Sequence, residues 1–272
     1  MAATSEIAGP DRALLTGKTA VVTGAAQGIG EATALALAAF GADVAICDNQ
    51  GDKLPAVKAA VEALGRRCHS TDLDVRDEPG VAQWLSAVHG EFGAIDIIVN
   101  NAGGGFHALY ENVSPKGEGV LIAENFGTVS NCVRHGVPLM SDGGAIVNVT
   151  SVEAYHAAPG FAIYSAMKAA VEQFTKTMSM ELGHRGIRVN CVAPDMMPTP
   201  GDEELQADSS ALMEGLHPTS LRRMGNADEC AAVIVFLASD MASFVTGTSI
   251  PVDGGTIAAA SWKVRNDGTF GL

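Results

Sequence analysis

Thr19-Ala20-Val21-Val22-Thr23-Gly24-Ala25-Ala26-Gln27-Gly28-Ile29-Gly30 runs directly into an alanine-rich amphipathic segment, Glu31 to Phe40. The β-branched run reads as a strand, the glycines as a turn and the alanine-rich segment as a helix. Glycines let the main chain approach a pyrophosphate closely, and a helix N-terminus offers it unpaired N–H groups and partial positive charge. The spacing is G-x-x-x-G-x-G, and such a cluster also serves any tight strand-to-helix connection. The next strand, Asp43 to Cys47, ends at Asp48, eighteen residues past Gly30. There a dinucleotide-binding fold places an acid on the adenosine ribose hydroxyls. A carboxylate at this point repels a 2′-phosphate, no basic residue follows immediately, and Gln27 precedes Gly28. The cofactor these residues favour is NAD over NADP, the alternative being a carboxylate that only ends a strand.

Working outward, the alternation repeats. A helix is expected near Asp52 to Leu64, a short strand from Arg67 to Thr71 with Asp74-Val75 beyond it, a helix from Val81 to Phe92 and a strand from Ile95 to Val99. Then come a helix from Val120 to Leu139 carrying Asn125, a strand from Ala145 to Thr150, a helix from Tyr164 to Gly183 and a strand from Ile187 to Val192. A helix from Asp228 to Ala238 and a last strand, Ser249 to Val252, complete the series. Such a series specifies an α/β fold, a doubly wound parallel sheet with helices on both faces, whose ligands sit beyond the carboxyl ends of the strands. Asn100-Asn101-Ala102-Gly103 lies at one such end and should line the cleft, although turn chemistry alone also accounts for it. Phe106, His107 and Tyr110, in an irregular stretch from Gly104 to Gly119, are candidates for pocket wall only.

One domain is expected from 272 residues. Its boundaries are residues 17–255, preceded by a mobile leader, 1–16, and followed by a tail, 256–272, whose Trp262 and Phe270 point to docking on this subunit or its neighbour. Residues 195–225, rich in Pro, Met, Ser and acids, read as a lid. Apolar residues at 47% and charged residues at 18% exclude a disordered chain. A net charge of −14 argues against nucleic acid or an anionic membrane as partner. The five scattered cysteines fit buried free thiols better than bridges or a metal set, so a reducing, cytoplasmic setting and no metal are expected.

Tyr164-Ser165-Ala166-Met167-Lys168 carries the candidate chemistry. On a helix, residues four apart share a face, so the phenol and the ammonium can enter one site. A nearby cation favours the phenolate and brings a tyrosine, with an ordinary pKa of about 10, towards general acid/base work near neutral pH. A tyrosine and a lysine on a solvated helix would show the same spacing.

With Thr23 to Gly30, Asp74-Val75, Asn100 to Gly103, Asn125, Ser151, Tyr164 with Lys168, and Pro194 with Thr199 in this order, the chain resembles the classical short-chain dehydrogenase/reductase (SDR) family from about Gly17 to Gly255. The resemblance implies a Rossmann-like fold, a nicotinamide cofactor and a homotetramer built on the Tyr164 helix and its predecessor. It implies that Tyr164 is the acid/base, that Lys168 lowers its pKa and holds the nicotinamide ribose, that Ser151 bonds the substrate oxygen, and that Asn125 completes a proton relay. The cofactor set it implies is Gly24, Gln27, Gly28, Ile29, Gly30, Asp48, Asp74, Val75, Asn101, Ala102, Gly103, Tyr164, Lys168, Pro194, Met197 and Thr199. After Pro194 the family usually has glycine, and this chain has Asp195, which puts a carboxylate near the cofactor entrance. Glu153 stands where small residues are common and faces either substrate or solvent. The lid residues Met196, Met197, Leu205, Leu212, Met213 and Leu216 suit a sizeable apolar alcohol or ketone. The expected reaction interconverts a secondary alcohol on a ring system, steroid- or terpenoid-like, and its ketone. A 3-oxoacyl thioester reductase, a sugar or polyol dehydrogenase, and an inactive NAD-binding regulatory scaffold are the alternatives.

Overall fold

A computed structural model describes residues 9–195, 197–200, 217 and 219–271. Strand side chains alternate between the faces of a sheet, and here both faces are apolar, as a sheet covered on both sides requires. Ala20, Val22, Val44, Ile46, Ile97, Val99, Val147 and Val149 enter one core, whereas Val21, Ala45, Cys47, Ile98, Ile146 and Val189 enter the other. The seven parallel strands are β1 (Thr19–Thr23), β2 (Asp43–Asp48), β3 (Cys68–Asp72), β4 (Ile95–Asn100), β5 (Met140–Val149), β6 (Arg188–Pro194) and β7 (Ser249–Val252). Their order is β3-β2-β1-β4-β5-β6-β7, so the direction of winding reverses between β1 and β4.

On the first face lie α1 (Gly28–Ala39), α2 (Leu54–Ala63) and α7 (Ala227–Ala238), bringing Leu37, Val57 and Ile234 to the sheet. The second face carries α3 (Glu78–Phe92), α5 (Thr128–Gly136) and α6 (Ala162–Leu182), with Leu85, Val133 and Val171. All five cysteines are buried free thiols.

The structure departs from the sequence reading in four places. The expected helix from Val120 to Leu139 begins earlier, as α4 (Pro115–Ile122), because Ser114 caps it: its Oγ accepts the Gly117 N–H at 3.1 Å and Pro115 stands at the first helical position. It then loosens into a π turn, Ala123–Gly127, before α5. Strand β5 starts at Met140, with a register irregularity opposite Ile95 and Ile97. Part of the expected leader is docked, since Leu15 is buried and Arg12 donates to the Asp240 carbonyl at 2.9 Å. The tail forms a short helix α8 (Thr256–Ala259) and a ribbon of β8 (Lys263–Val264) with β9 (Phe270–Gly271), so β7 is not the last strand. The ribbon meets its own chain through His217 N–H to the Val264 carbonyl at 3.0 Å, and Trp262 and Phe270 stay exposed.

Inside the sheet, Asn148 Oδ1 accepts from Asn100 Nδ2 at 2.7 Å and Asn148 Nδ2 donates to Thr175 Oγ1 at 2.8 Å, tying β4, β5 and α6 together. All three side chains are buried. Replacing Asn148 by Ala strands the Asn100 amide in the core, while Thr175 Oγ1 keeps Cys191 Sγ, and should lower unfolding free energy by about 1 to 3 kcal/mol. Urea denaturation of the variant measures this directly.

Candidate active site

A cleft of about 680 Å³ opens beyond the carboxyl ends of the strands, over the reversal between β1 and β4. At its floor the main chain passes very close to itself. A Cβ on Gly30 would stand 2.0 Å from the Gly24 carbonyl oxygen, and one on Gly24, which has φ +65°, would stand 2.8 Å from Ala102 Cα. Only glycine leaves the α1 N-terminus open towards the cleft. Asn101 reinforces the floor by donating from Nδ2 to the Thr23 and Gly24 carbonyls at 3.1 and 2.9 Å. Its job is therefore to hold the turn as well as to line it.

Of the expected cofactor residues, Gly24, Gln27, Gly28, Ile29, Asp48, Asp74, Val75, Asn101, Ala102, Gly103, Tyr164, Lys168, Pro194, Met197 and Thr199 all line this cleft. Gly30 lies behind it, as support for the turn. Asp48 accepts the Ala26 N–H on Oδ2 and the Gln50 N–H on Oδ1, each at 2.9 Å. Each carboxylate oxygen retains acceptor capacity for a ribose hydroxyl. The glycine floor, the open α1 terminus and this carboxylate fit a nicotinamide dinucleotide.

Several lining residues escape a reading of motifs. Arg76 clamps Asp74, with Nη2 to Oδ2 at 2.6 Å, and these hydrogen bonds hold the Asp74 carboxyl below its ordinary range. The D-x-R spacing was the available signal. Behind the lining, Lys53 Nζ meets Gln27 Oε1, and Gln27 Nε2 donates to the Pro200 carbonyl at 3.1 Å, so a cation reaches the glycine turn from the residue that precedes α2. Glu124 and Phe161 also line the cleft. Phe161 packs edge-on to Tyr164, with 6.1 Å between ring centroids.

The reacting end is built by α6 and the turn after β5. Tyr164 and Lys168 share the α6 face that lines the cleft, and the ammonium lies 5.4 Å from the phenol ring centroid. Lys168 is buried and donates to the Val149 carbonyl at 3.1 Å. Burial pushes its pKa down from 10.5 to about 8, while the Glu153 and Glu124 carboxylates support the charge. Ser151 caps the turn Val152–Ala154; its Oγ accepts the Glu153 N–H at 3.3 Å and donates to Glu153 Oε2.

Asn125 sits in the π turn behind the cleft wall. Its amide donates to the Gly104 and Leu121 carbonyls at 2.8 and 3.0 Å. Both amide protons are thus committed to main chain, which makes Asn125 a holder of the Gly103-Gly104 loop in this structure. Still, it approaches Lys168, since a Cβ on Gly103 would lie 3.0 Å from Asn125 Oδ1 and 3.2 Å from Lys168 Nζ. The lid residues Met196, Leu205, Leu212, Met213 and Leu216 lie outside the described residues, whereas Met197 packs against the first core.

A dinucleotide cleft at the winding reversal, with a phenol and an ammonium facing into it, defines an oxidoreductase of the Rossmann type. A family model described as enoyl-(acyl carrier protein) reductase matches residues 24–256. A 3-oxoacyl-[acyl-carrier-protein] reductase of Thermotoga maritima is 39% identical over 245 residues, covering 89% of this chain and 99% of the relative. Cyclohexanol dehydrogenase of a Rhodococcus species is 37% identical over 270 residues, covering 90% and 98%. The crystal structure of carveol dehydrogenase from Mycobacterium avium in complex with NAD superposes with a TM-score of 0.80 at 29% identity, covering 90% of this chain and 99% of that one. The chain belongs to the short-chain dehydrogenase/reductase family.

The lowered Lys168 pKa has a consequence for stability. Between about 8 and 10.5 the unfolded chain holds a proton on Lys168 that the folded chain has released. The wild type should therefore gain stability, relative to Lys168→Met, as pH rises through that window, by up to roughly 3 kcal/mol. Denaturation of both proteins in the absence of cofactor across pH 7.5 to about 10.5 tests the sign.

Proposed function

We propose that the protein is an NAD(H)-dependent oxidoreductase, acting on CH–OH groups, that interconverts a secondary alcohol and a ketone. The convergence of Ser151, Tyr164 and Lys168 on one wall of the dinucleotide cleft carries this reading. The Tyr164 hydroxyl takes the proton from the substrate alcohol or returns it to the ketone oxygen. Lys168, fixed by the Val149 carbonyl, keeps positive charge beside the phenol and so favours phenolate. Ser151 donates to the substrate oxygen and stabilises negative charge that develops there. When bound, the nicotinamide supplies the hydride chemistry. Gly24 at the pyrophosphate, Asp48 at the adenosine ribose and Lys168 at the nicotinamide ribose are the residues that would hold the dinucleotide.

NAD is supported by Asp48 and by the NAD complex of the carveol dehydrogenase neighbour. Lys53 and Arg76 near the same end supply the specific observation favouring NADP as the second possibility. The proposed substrate is an apolar, ring-containing alcohol, terpenoid- or steroid-like, in keeping with the cyclohexanol and carveol enzymes among its relatives and with the Phe161, Met197 and Met224 walls. Reduction of a 3-oxoacyl thioester is the second reading, supported by the family model and the Thermotoga relative. Against it stands a net charge of −14, which repels an acidic carrier protein. A cytoplasmic location is proposed from the five buried thiols, and no helix among the described residues is long and apolar enough to cross a membrane.

Replacing Tyr164 by Phe should reduce kcat by at least about a hundredfold and leave NADH binding, read by fluorescence titration, within a few-fold of wild type. Unchanged turnover rejects the mechanism, whereas a wild type that binds NADH but turns over no alcohol or ketone returns the inactive-scaffold reading. In the wild type, the same titration should show NADH binding at least about tenfold tighter than NADPH, the worth of one hydrogen bond to a charged group. Tighter NADPH binding removes Asp48 as the ribose reader.

The proposed assembly is a homotetramer through α5, α6 and the edge at β7. Met180 on α6 is 83% exposed and Phe244, just before β7, is fully exposed, and this assembly would cover both. Light scattering should give four times the chain mass, and a monomer at working concentration rejects the assembly.

A further inference from the structure

Ser151 has one hydroxyl proton, and the acceptor that faces it is a carboxylate. The proton is donated to Glu153 Oε2, while the Glu153 N–H holds the serine oxygen at 3.3 Å. The alcohol dehydrogenase reading above, on which this inference rests, needs that same proton on the substrate oxygen. One hydroxyl proton cannot serve both acceptors. When Ser151 turns to the substrate, Glu153 Oε2 loses its donor.

The surroundings of Glu153 make that loss matter. The side chain is half-buried on the cleft wall. Burial and the Asp195 carboxylate raise its pKa, with its own backbone N–H, His156 and Lys168 opposing them. A carboxylate that loses one of its few donors in such a place is destabilised. A bare cyclohexanol-type substrate brings nothing to replace the lost proton. A substrate carrying its own donor beside the reacting carbon does.

We propose that Glu153 is a specificity-determining residue that accepts a hydrogen bond from a second donor on the substrate, a hydroxyl on the carbon next to the one oxidised. The preferred substrates are then vicinal diols and the corresponding hydroxyketones on an apolar ring. The carboxylate oxygen is one hydrogen bond away from the serine oxygen, so a group that meets it lies within one or two bonds of the reacting carbon. Glu153 accepts this hydrogen bond without exchanging protons with the reacting oxygen, which remains the work of Tyr164.

Three alcohols of similar shape separate the possibilities: trans-1,2-cyclohexanediol, trans-2-methoxycyclohexanol, which keeps the second oxygen but has no second donor, and cyclohexanol. Their kcat/KM values are measured with the preferred oxidised cofactor for the wild type, Glu153→Gln and Glu153→Leu. The wild type should favour the diol over the methyl ether by about 10- to 100-fold, the worth of one hydrogen bond to a charged group. Glu153→Gln, which keeps an acceptor oxygen, should retain a reduced preference, and Glu153→Leu should abolish it mainly through a rise in KM for the diol. Equal values for diol and ether in the wild type, a preference that survives in Glu153→Leu, or a preference for the ether, which a protonated Glu153 acting as donor would give, overturns the role of Glu153 alone. No oxidation of any of the three, and no reduction of the matching ketones, overturns the reaction itself and this proposal with it.

Discussion

The close approach of the β1 turn to the end of β4 is the constraint on which the rest depends. Thr23 Oγ1 accepts the Asn101 and Ala102 N–H groups, each at 3.1 Å, and Asn101 returns two hydrogen bonds to the turn. Those bonds form only because Gly24 and Gly30 lack side chains, since a Cβ on either would meet main chain at under 3 Å. Without the contact, α1 could not aim its N-terminus into the cleft, and β4 could not deliver the Gly103-Gly104 loop to the reacting end. One backbone approach therefore sets both ends of the cofactor site.

From that loop the coupling continues into the chemistry. Gly103 lies between Asn125 and Lys168, and Asn125 holds Gly104 through the π turn. A π turn shifts every later side chain on a helix relative to the earlier ones, and such turns gather at functional sites. Here it allows α4 to cap on Ser114 while Asn125 still points at the loop. Lys168, buried under this loop, carries the positive charge of the site in spite of its burial, and the Val149 carbonyl fixes where that charge stands.

Much of this was legible in the sequence, and the residues say why. Val21, Ile46, Ile98 and Val147 sit in apolar runs with both faces buried, and such runs alternating with amphipathic segments have few other solutions. Tyr164 and Lys168 were legible because helical spacing is a fixed geometry. The start of α4 was hidden, since Gly117 and Gly119 mask helical propensity and only the Ser114-Pro115 cap announces it. Strand β5 began early because a register irregularity carries pairing past Gly143 and Gly144. The hydrogen bond from Ser151 to Glu153 was hidden for a different reason. Two residues apart in a short 3-10 turn, they obey neither the helical nor the strand period that makes side-chain neighbours readable.

A buried lysine beside a tyrosine raises the question of which form it takes. Burial alone would favour the neutral amine, and a neutral amine would do little to draw a proton off the phenol. The shift stops at about 8. At pH 7 the ammonium is therefore still the favoured form. Glu153 and Glu124 contribute to holding it there. The acidic side chains around the reacting end thus help to keep Lys168 a cation within a site that buries it. Glu153 does so at its own expense, because the burial that weakens the ammonium also raises its carboxyl. A buried ammonium and a half-buried carboxylate each make the other more tenable, and the serine proton adds to the balance until substrate takes it.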